Sequence, residues 1–135
     1  MDISVVVCTY TLDRYDDFAE AVDSLLRQTY APIEIILVSD GNATVAEHMS
    51  EDFGHIESVR VHCTEENRGI SYSRTRGAEL ATGELVAFLD DDAIATYDWI
   101  ETLVETYDST EAHAVGGRLD PQWIAGEPSF LPEEF

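Results

Sequence analysis

Short apolar segments alternate along the chain with segments whose apolar residues repeat at helical spacing, and this alternation constrains the fold most strongly. The apolar segments predict five strands: residues 3–8, 33–39, 59–63, 84–90 and 113–117. The segments between them predict four helices: residues 16–28, 44–53, 70–81 and 97–107. Such alternation is typical of an open, mostly parallel sheet with right-handed crossovers and helices on both faces. We therefore expect a Rossmann-like α/β fold.

Polar side chains follow the predicted strands at the points where the strands end. In open parallel sheets, ligands bind beyond the carboxyl ends of the strands. That rule selects the following residues: Thr9 and Tyr10, Asp40, Thr64 to Asn67, and Asp90 to Asp92. The sequence therefore predicts a ligand site along one edge of the sheet.

Three consecutive aspartates, which we call the acidic triplet (Asp90, Asp91 and Asp92), end the apolar segment "LVAFL". Two like charges about 4 Å apart repel by roughly 1 kcal/mol in water and by about 4 kcal/mol at an effective dielectric near 20. If the strand stays extended, Asp90 and Asp92 point to the same side. Two such carboxylates suit Mg²⁺ or Mn²⁺, which water and phosphate oxygens then complete. The alternative is a solvated acidic loop in a chain already rich in aspartate.

Asp40 follows the predicted strand 33–39 and opens the tripeptide Asp-Gly-Asn. This tripeptide is favourable in turns, so a purely structural turn is one interpretation. The other is a carboxylate that accepts hydrogen bonds from a base or a ribose at the sheet edge.

Three arginines, Arg68, Arg74 and Arg76, lie within nine residues of a chain that has only seven basic residues. Guanidinium groups match the geometry of phosphate oxygens, so a natural use of this cluster is to hold a diphosphate. The alternative is pairing along a helix with Glu66 or Glu79.

The charge balance limits the partners and the environment. The chain has 28 acidic and 7 basic residues, a formal net charge of −21, and no lysine. This composition disfavours nucleic acid as a partner, because phosphate backbones are bound through basic surface. A hydrophobic content of 44% argues for a folded protein and against an acidic disordered tail. We interpret the acidic surface as an adaptation to high salt, where the Debye length is about 3 Å at 1 M.

The length of 135 residues is typical of one domain. The two cysteines, Cys8 and Cys63, predict free thiols and no disulfide framework or zinc site. No apolar run reaches transmembrane length and no basic signal-peptide start is present. We therefore expect a cytoplasmic location. The end of the sequence, "PSFLPEEF", suggests a longer parent chain.

Two long segments resemble family 2 glycosyltransferases of the GT-A fold. The first is "VVVCTYTLDRYDDFAEAVDSLLRQTYAPIEIILVSDGN", which is similar to the family's first strand, T-Y-N-R turn, S-L-L-x-Q-T-Y helix end and V-D-D-G-S strand end. The second is "NRGISYSRTRGAELATGELVAFLDDDA", which resembles the N-x-G-x-x-x-A-R-N-x-G segment that leads into the D-x-D motif. The resemblance spans residues 3 to about 117. It implies residues 1–117 as the nucleotide-sugar-binding core and 118–135 as the start of an acceptor-side region.

The resemblance implies transfer of a sugar from a UDP- or GDP-sugar, usually with inversion, with Mn²⁺ or Mg²⁺ as the cofactor. By this resemblance, Thr9 and Tyr10 flank the base and ribose, and Asp40 hydrogen-bonds the base. Asp90 and Asp92 form the D-x-D motif, Asp92 being the expected direct metal ligand, and Arg74 contacts the donor. Arg68 and Asp91 complete the predicted substrate-binding residues. The resemblance implies a glycan or a lipid-linked acceptor, reached at the cytoplasmic face of a membrane through a C-terminal part.

Four positions depart from the family motifs: Thr11, Ser39, Thr75 and Ala93. These differences concern base specificity more than donor binding. The family's catalytic base is a carboxylate of the acceptor half, beyond the last residue of this sequence, so no catalytic residue is predicted.

Other classes of α/β protein fit the residues less well. A nucleotidyltransferase usually has a Gly-rich basic segment after the first strand, where this chain has "CTYTLDRY". A phosphate-accepting receiver domain needs a lysine, and a dehalogenase-type phosphatase needs an aspartate where Cys8 and Thr9 stand. A nucleotidyltransferase and a non-enzymatic module that binds a divalent cation remain the alternatives.

Overall fold

The computed structural model describes residues 1–120 and places four parallel strands in one sheet. The strands are β1 (Ile3–Thr9), β2 (Ile33–Ser39), β3 (Val59–Cys63) and β4 (Leu85–Phe88). The helices are α1 (Tyr15–Leu26), α2 (Ala43–Phe53), α3 (Ile70–Leu80) and α4 (Trp99–Ser109), and a short 3-10 helix spans Leu12–Arg14. The strand order is β3-β2-β1-β4, so the chain starts inside the sheet and extends it in both directions. The predicted α/β class and parallel sheet are confirmed.

Alternating side chains of the strands give the sheet two apolar faces, as expected for strands that are buried on both sides. On one face, β1 and β2 present Val5, Val7, Ile35 and Leu37, which pack in one cluster with residues of α1, α2 and α4. The largest fully buried side chains that these helices contribute are Phe18, Leu25, Met49 and Ile100, each 0–1% exposed. The predicted placement of helices on both faces is confirmed, because α3 covers the other side.

The second face is closed by α3, which lies unusually near the sheet. Val6, Cys8, Ile36 and Val38 form this face. A Cβ built on Gly77 of α3 would lie only 2.4 Å from Cγ1 of Val6. Position 77 therefore needs a glycine because a larger side chain would collide with the sheet, and not because the backbone has an unusual angle there.

Two predictions near the end of the core are wrong. Residues 113–117 form no strand in the described part of the chain, and two of these five residues are glycines, which weaken strands. The fourth strand, predicted over 84–90, ends at Phe88, whose partner in β1 is Val6. Leu89 still donates its N–H to the Val6 carbonyl at 3.1 Å, and the chain then leaves the sheet.

The predicted acceptor-side region, residues 118–135, lies outside the described residues from residue 121 onward. Within residues 1–120, none of the helices is long and apolar enough to cross a lipid bilayer.

Candidate functional site

The carboxyl ends of β1 and β2 and the segment after β4 meet at one edge of the sheet. Among the polar residues buried there are Thr9 (1% exposed), Asp40 (5%) and Asp91 (9%). The Asp40 N–H donates to the Thr9 carbonyl at 3.0 Å, and the Thr9 hydroxyl donates to the Asp91 carboxylate at 2.8 Å. Hydrogen bonds therefore connect Thr9, Asp40 and Asp91 at the sheet edge that the strand ends predicted.

A cavity of about 390 Å³, which we call the edge cavity, opens beside this group. Its lining contains the predicted site residues Thr9, Tyr10, Asp40, Asn67 and Asp91, together with Cys8, Arg14, Gly69 and Ile70. Burial raises the pKa of the Cys8 thiol to about 12; the charge of Arg74 opposes the shift, and those of Asp40 and Asp91 add to it. Cys8 is therefore a neutral, unreactive part of the wall.

Asp40 is held at the start of α3. Its two carboxylate oxygens accept the backbone N–H groups of Arg68 at 3.1 Å and of Gly69 at 3.0 Å. A negative charge at a helix N-terminus is favourable because the helix dipole is positive there. Each carboxylate oxygen can accept more than one hydrogen bond, so the side chain retains acceptor capacity toward the cavity. The structural interpretation of Asp40 therefore applies, and it does not exclude the predicted contact with a base.

Close packing of backbone supports Asp40 from the other side. Gly41 has φ of +68°, a conformation that side-chain-bearing residues rarely adopt. A Cβ on Gly41 would lie 2.2 Å from the backbone nitrogen of Asn67. The Asp-Gly turn thus brings the 64–69 loop against the end of β2.

The acidic triplet is arranged as a turn and not as an extended strand. The Ala93 N–H donates to the Asp90 carbonyl at 3.1 Å, which closes a tight turn over residues 90–93. We expected the strand to stay extended through the triplet and so to orient Asp90 and Asp92 to one side. That expectation is wrong, because β4 ends before residue 90. Asp91 points into the protein, whereas Asp90 and Asp92 are exposed.

Arginines offset much of the charge of the triplet. Arg74 on α3 lies with its Nη2 2.5 Å from Asp90, and Arg14 lies with its Nη2 3.2 Å from Asp91. The repulsion noted in the sequence is thus reduced by the chain's own cations. Asp92 makes no hydrogen bond or ion pair with the rest of residues 1–120, and this leaves both of its oxygens available.

The donor set fits a metal that takes few protein ligands. Residues 1–120 contain no group of three or more His, Cys, Asp or Glu side chains placed to hold a metal ion. Mg²⁺ in phosphate-transferring sites commonly uses one or two carboxylates, with water and substrate phosphates as its other ligands. The exposed carboxylates of Asp90 and Asp92 fit that pattern, and the pair remains the predicted metal site.

The predicted arginine cluster separates in the structure. Arg74 reaches the triplet, and Arg68 lies at the rim of the site with its guanidinium 5.0 Å from the centre of the Tyr72 ring. Arg76 pairs with Glu79 at 2.8 Å, three residues along α3, and lines a different cavity with His62 and Cys63. Pairing along a helix with Glu66 or Glu79 was the alternative interpretation of the cluster. It holds for Arg76 and Glu79 on α3, and Arg68 pairs with Glu66 at 3.4 Å just before that helix.

Arg14 is the site residue that sequence reasoning missed. Its guanidinium lies 5.2 Å from the centre of the Tyr10 ring and pairs with Asp91. Its Nε is buried and has no hydrogen-bond partner among residues 1–120. One signal was present, since an arginine shortly after the polar end of the first strand is uncommon in so acidic a chain.

Comparison with known proteins agrees with this architecture. The fold is GT-A: S. aureus TarS 1–349 in complex with UDP-GlcNAc superposes with a TM-score of 0.71 at 24% identity, over 90% of this chain and 37% of that one. A mannosyltransferase from Pyrobaculum calidifontis, in complex with GDP-Man and Mn²⁺, superposes with a TM-score of 0.64 at 23% identity, over 76% and 31%. At these identities the likeness establishes the fold alone.

The sequence establishes the family. The model of glycosyl transferase family 2 matches residues 4–127, and the chain belongs to that family. A glucosyl-dolichyl phosphate glucuronosyltransferase of Haloferax volcanii is 57% identical over 136 residues, which cover all of this chain and 44% of that protein. The glycosyltransferase GlyG of Streptococcus pneumoniae is 35% identical over 116 residues, covering 85% and 38%. The chain thus spans less than half the length of these relatives.

The family match and the superpositions confirm the predicted family and the GT-A fold. The strong similarity to a Haloferax protein agrees with the predicted adaptation to high salt. The individual roles given above to Thr9, Tyr10, Asp40, Arg68, Arg74 and the triplet remain predictions.

Proposed function

We propose that this chain is the donor-binding part of a metal-dependent glycosyltransferase that moves a hexuronic acid from a nucleoside-diphosphate sugar to a lipid-phosphate-linked glycan. The substrate class is suggested by the Haloferax relative, which is named for glucuronosyl transfer to glucosyl-dolichyl phosphate and is 57% identical over this whole chain. The observation that supports donor binding here is the hydrogen-bonded group of Thr9, Asp40 and Asp91 beside the edge cavity.

In this proposal the nucleoside occupies the edge cavity. Tyr10 is half exposed, and its ring offers one face to a base while the Arg14 guanidinium lies against the ring. The Asp40 carboxylate, already held in place by two backbone N–H groups, accepts a further hydrogen bond from the base. Preorganised acceptors of this kind reduce the entropy lost when a ligand is ordered.

The diphosphate lies between α3 and the acidic triplet. Arg74 supplies a guanidinium to its oxygens, and Arg68 lies at the rim. Asp90 and Asp92 would hold Mn²⁺ or Mg²⁺, which when bound neutralises charge on the leaving diphosphate. Inversion at the anomeric carbon and a catalytic base in the acceptor-side region follow from the family resemblance. We place the reaction at a membrane surface, because the proposed acceptor is anchored to a lipid, and at its cytoplasmic face, in keeping with the cytoplasmic location expected from the sequence.

Calorimetric titration in molar KCl tests donor binding. UDP and GDP are titrated with Mn²⁺ and again with excess EDTA, and we expect one of them to bind only with the metal. Arg74→Ala should weaken that binding by about 10- to 100-fold, the range of a hydrogen bond to a charged group.

Arg76→Ala is the matched control, because Arg76 lies on the same helix and pairs with Glu79, away from the triplet. It should leave nucleotide affinity unchanged. Binding of Ca²⁺ without affinity for either nucleotide would instead support a non-enzymatic cation-binding module and overturn the proposal.

A further inference from the structure

A second cavity, which we call the triplet cavity, lies beside the acidic triplet and is not used by the nucleoside in the proposal above. It has a volume of about 420 Å³, and its lining includes Arg74, Phe88, Asp90, Ile94, Trp99 and Arg118. Asp91 lines the edge cavity and the adjacent Asp90 lines this one, so the two cavities adjoin at the triplet. A ligand whose diphosphate is held at the triplet can therefore extend from the first cavity into the second.

The triplet cavity holds two of the seven cations of a chain whose net charge is −21. Both are paired with exposed carboxylates: Arg74 with Asp90 at 2.5 Å, and Arg118 with Asp120 at 2.8 Å. Exposed pairs of this kind contribute little free energy, so either guanidinium can exchange its partner for a ligand anion. The lining has two guanidinium groups and one carboxylate, that of Asp90, so the cavity can offer a guanidinium group to an anionic ligand.

Apart from Asp90 and Thr96, the rest of the lining is apolar, and part of it is exposed. Phe88 is 44% exposed and Ile94 is 51% exposed, although both are large hydrophobic residues. Trp99, at the start of α4, completes this wall. Apolar and aromatic side chains with a few converging polar groups are typical of small-molecule sites, and they suit the C–H face of a pyranose ring.

We propose that the triplet cavity binds the hexuronic acid of the donor, and that Arg118 determines sugar specificity by pairing with its C6 carboxylate. This inference rests on the proposed function, since it assumes a nucleoside-diphosphate donor held at the triplet. Arg74 lies at the end of the cavity nearest the triplet, toward the diphosphate, and Arg118 is the second cation that the cavity offers to the sugar.

Direct contact is required for this discrimination in a salt-adapted protein. At molar salt the Debye length is about 3 Å, so a carboxylate is not distinguished from a hydroxymethyl group by long-range attraction. The planar fork of an arginine makes two parallel hydrogen bonds to a carboxylate and cannot make the same pair to a hydroxymethyl group. An arginine in contact with C6 therefore selects a uronic acid even where the surface charge is screened.

Donor discrimination tests the inference. UDP-glucuronic acid and UDP-glucose, which differ only at C6, are titrated in the presence of Mn²⁺ and molar KCl against the full chain. We expect the unsubstituted protein to bind UDP-glucuronic acid at least tenfold more tightly than UDP-glucose. Arg118→Gln should weaken UDP-glucuronic acid about tenfold or more and leave UDP-glucose unchanged, the range expected for loss of a charged hydrogen bond.

Arg76→Gln is the control, because Arg76 is also an arginine paired with a carboxylate a few residues away, and it does not line the triplet cavity; its side chain is 40% exposed, against 87% for Arg118. It should alter neither affinity, and far-UV circular dichroism should show all three proteins folded. Equal affinity of the unsubstituted protein for the two donors, or equal loss of both in Arg118→Gln, would overturn this inference and leave the proposed function standing. Failure of the unsubstituted protein to bind either UDP-sugar would overturn this inference, and it would overturn the proposed function as well if neither UDP nor GDP bound in the presence of Mn²⁺.

Discussion

The three aspartates of the acidic triplet should differ sharply in what they contribute to stability, although they are consecutive and chemically identical. Asp91→Ala leaves the Thr9 hydroxyl, which is 1% exposed, without its acceptor at 2.8 Å and removes the partner of Arg14 at 3.2 Å. Loss of a hydrogen bond to a charged group costs about 1.5–3 kcal/mol. We therefore expect Asp91→Ala to lower the free energy of unfolding by about 2–3 kcal/mol.

The two neighbouring substitutions should cost far less. Asp90→Ala breaks an ion pair whose side chains are 41% and 58% exposed, and such pairs contribute about 0–1 kcal/mol. Asp92→Ala removes an exposed side chain that contacts no partner among residues 1–120, so we expect a change within about 0.5 kcal/mol. Asp92→Ala should nevertheless abolish metal-dependent donor binding, because it removes the predicted direct metal ligand.

Urea unfolding, followed by far-UV circular dichroism at one fixed molar KCl concentration, measures these differences. The dependence of the free energy on urea concentration should stay constant, so that midpoints report stability alone. A double-mutant cycle with Thr9→Val isolates the Thr9–Asp91 hydrogen bond, and the two losses should not add. If Asp92→Ala destabilised the protein as much as Asp91→Ala, or if the Thr9 and Asp91 losses were additive, the inward orientation of Asp91 would be refuted.

Three further predictions concern the fold and its environment. Gly77→Ala should lower the free energy of unfolding by about 1–2 kcal/mol in urea unfolding, since the added methyl group meets Val6 at 2.4 Å and overpacking outweighs the gain in helix propensity. Burial raises the pKa of Cys8 from 9.0 to about 12, so the unfolded chain loses this proton at lower pH than the folded protein. Between these two pH values the free energy of unfolding should fall by about 1.4 kcal/mol per pH unit, and urea unfolding at a series of pH values should show a smaller slope for Cys8→Ala. Dialysis from molar KCl to 0.1 M should reduce the folded far-UV signal, because the Debye length grows from about 3 to about 10 Å and the −21 charge repels itself.

Each of the three has an outcome that contradicts it. Gly116→Ala is the control for Gly77→Ala, because a Cβ on Gly116 meets nothing within 4 Å; equal effects would mean that close approach of α3 is unimportant. If the free energy of unfolding fell with pH above pH 9 equally in the unsubstituted protein and in Cys8→Ala, the pH dependence would be due to other groups. Unchanged stability at low salt would remove the argument for adaptation to high salt.

The alternation of apolar and helical segments was enough to predict most of the fold. The bounds of β2 and β3 agree with the predicted segments, and the helices differ from the predicted ones by one to two residues at most ends. Once the strands are parallel, their carboxyl ends share an edge, and so Thr9 and Asp40 were correctly expected to lie together. The helices, the strands and their shared edge depend on residues that are near one another in the sequence. Local patterns such as the spacing of apolar residues and the types of turn residue therefore predict them.

Only the tertiary structure decided how the side chains of the site are paired. The fourth strand ends at Phe88 because its pairing with Val6 of β1 ends there, and the following turn directs Asp91 inward to Thr9 and Arg14. Those partners lie 82 and 77 positions away in the chain, and no local pattern records such a contact. The sequence by itself determined which elements form and which edge carries the polar residues. The packing of distant segments determined which carboxylates are buried, which stay available to a ligand, and which arginines reach them.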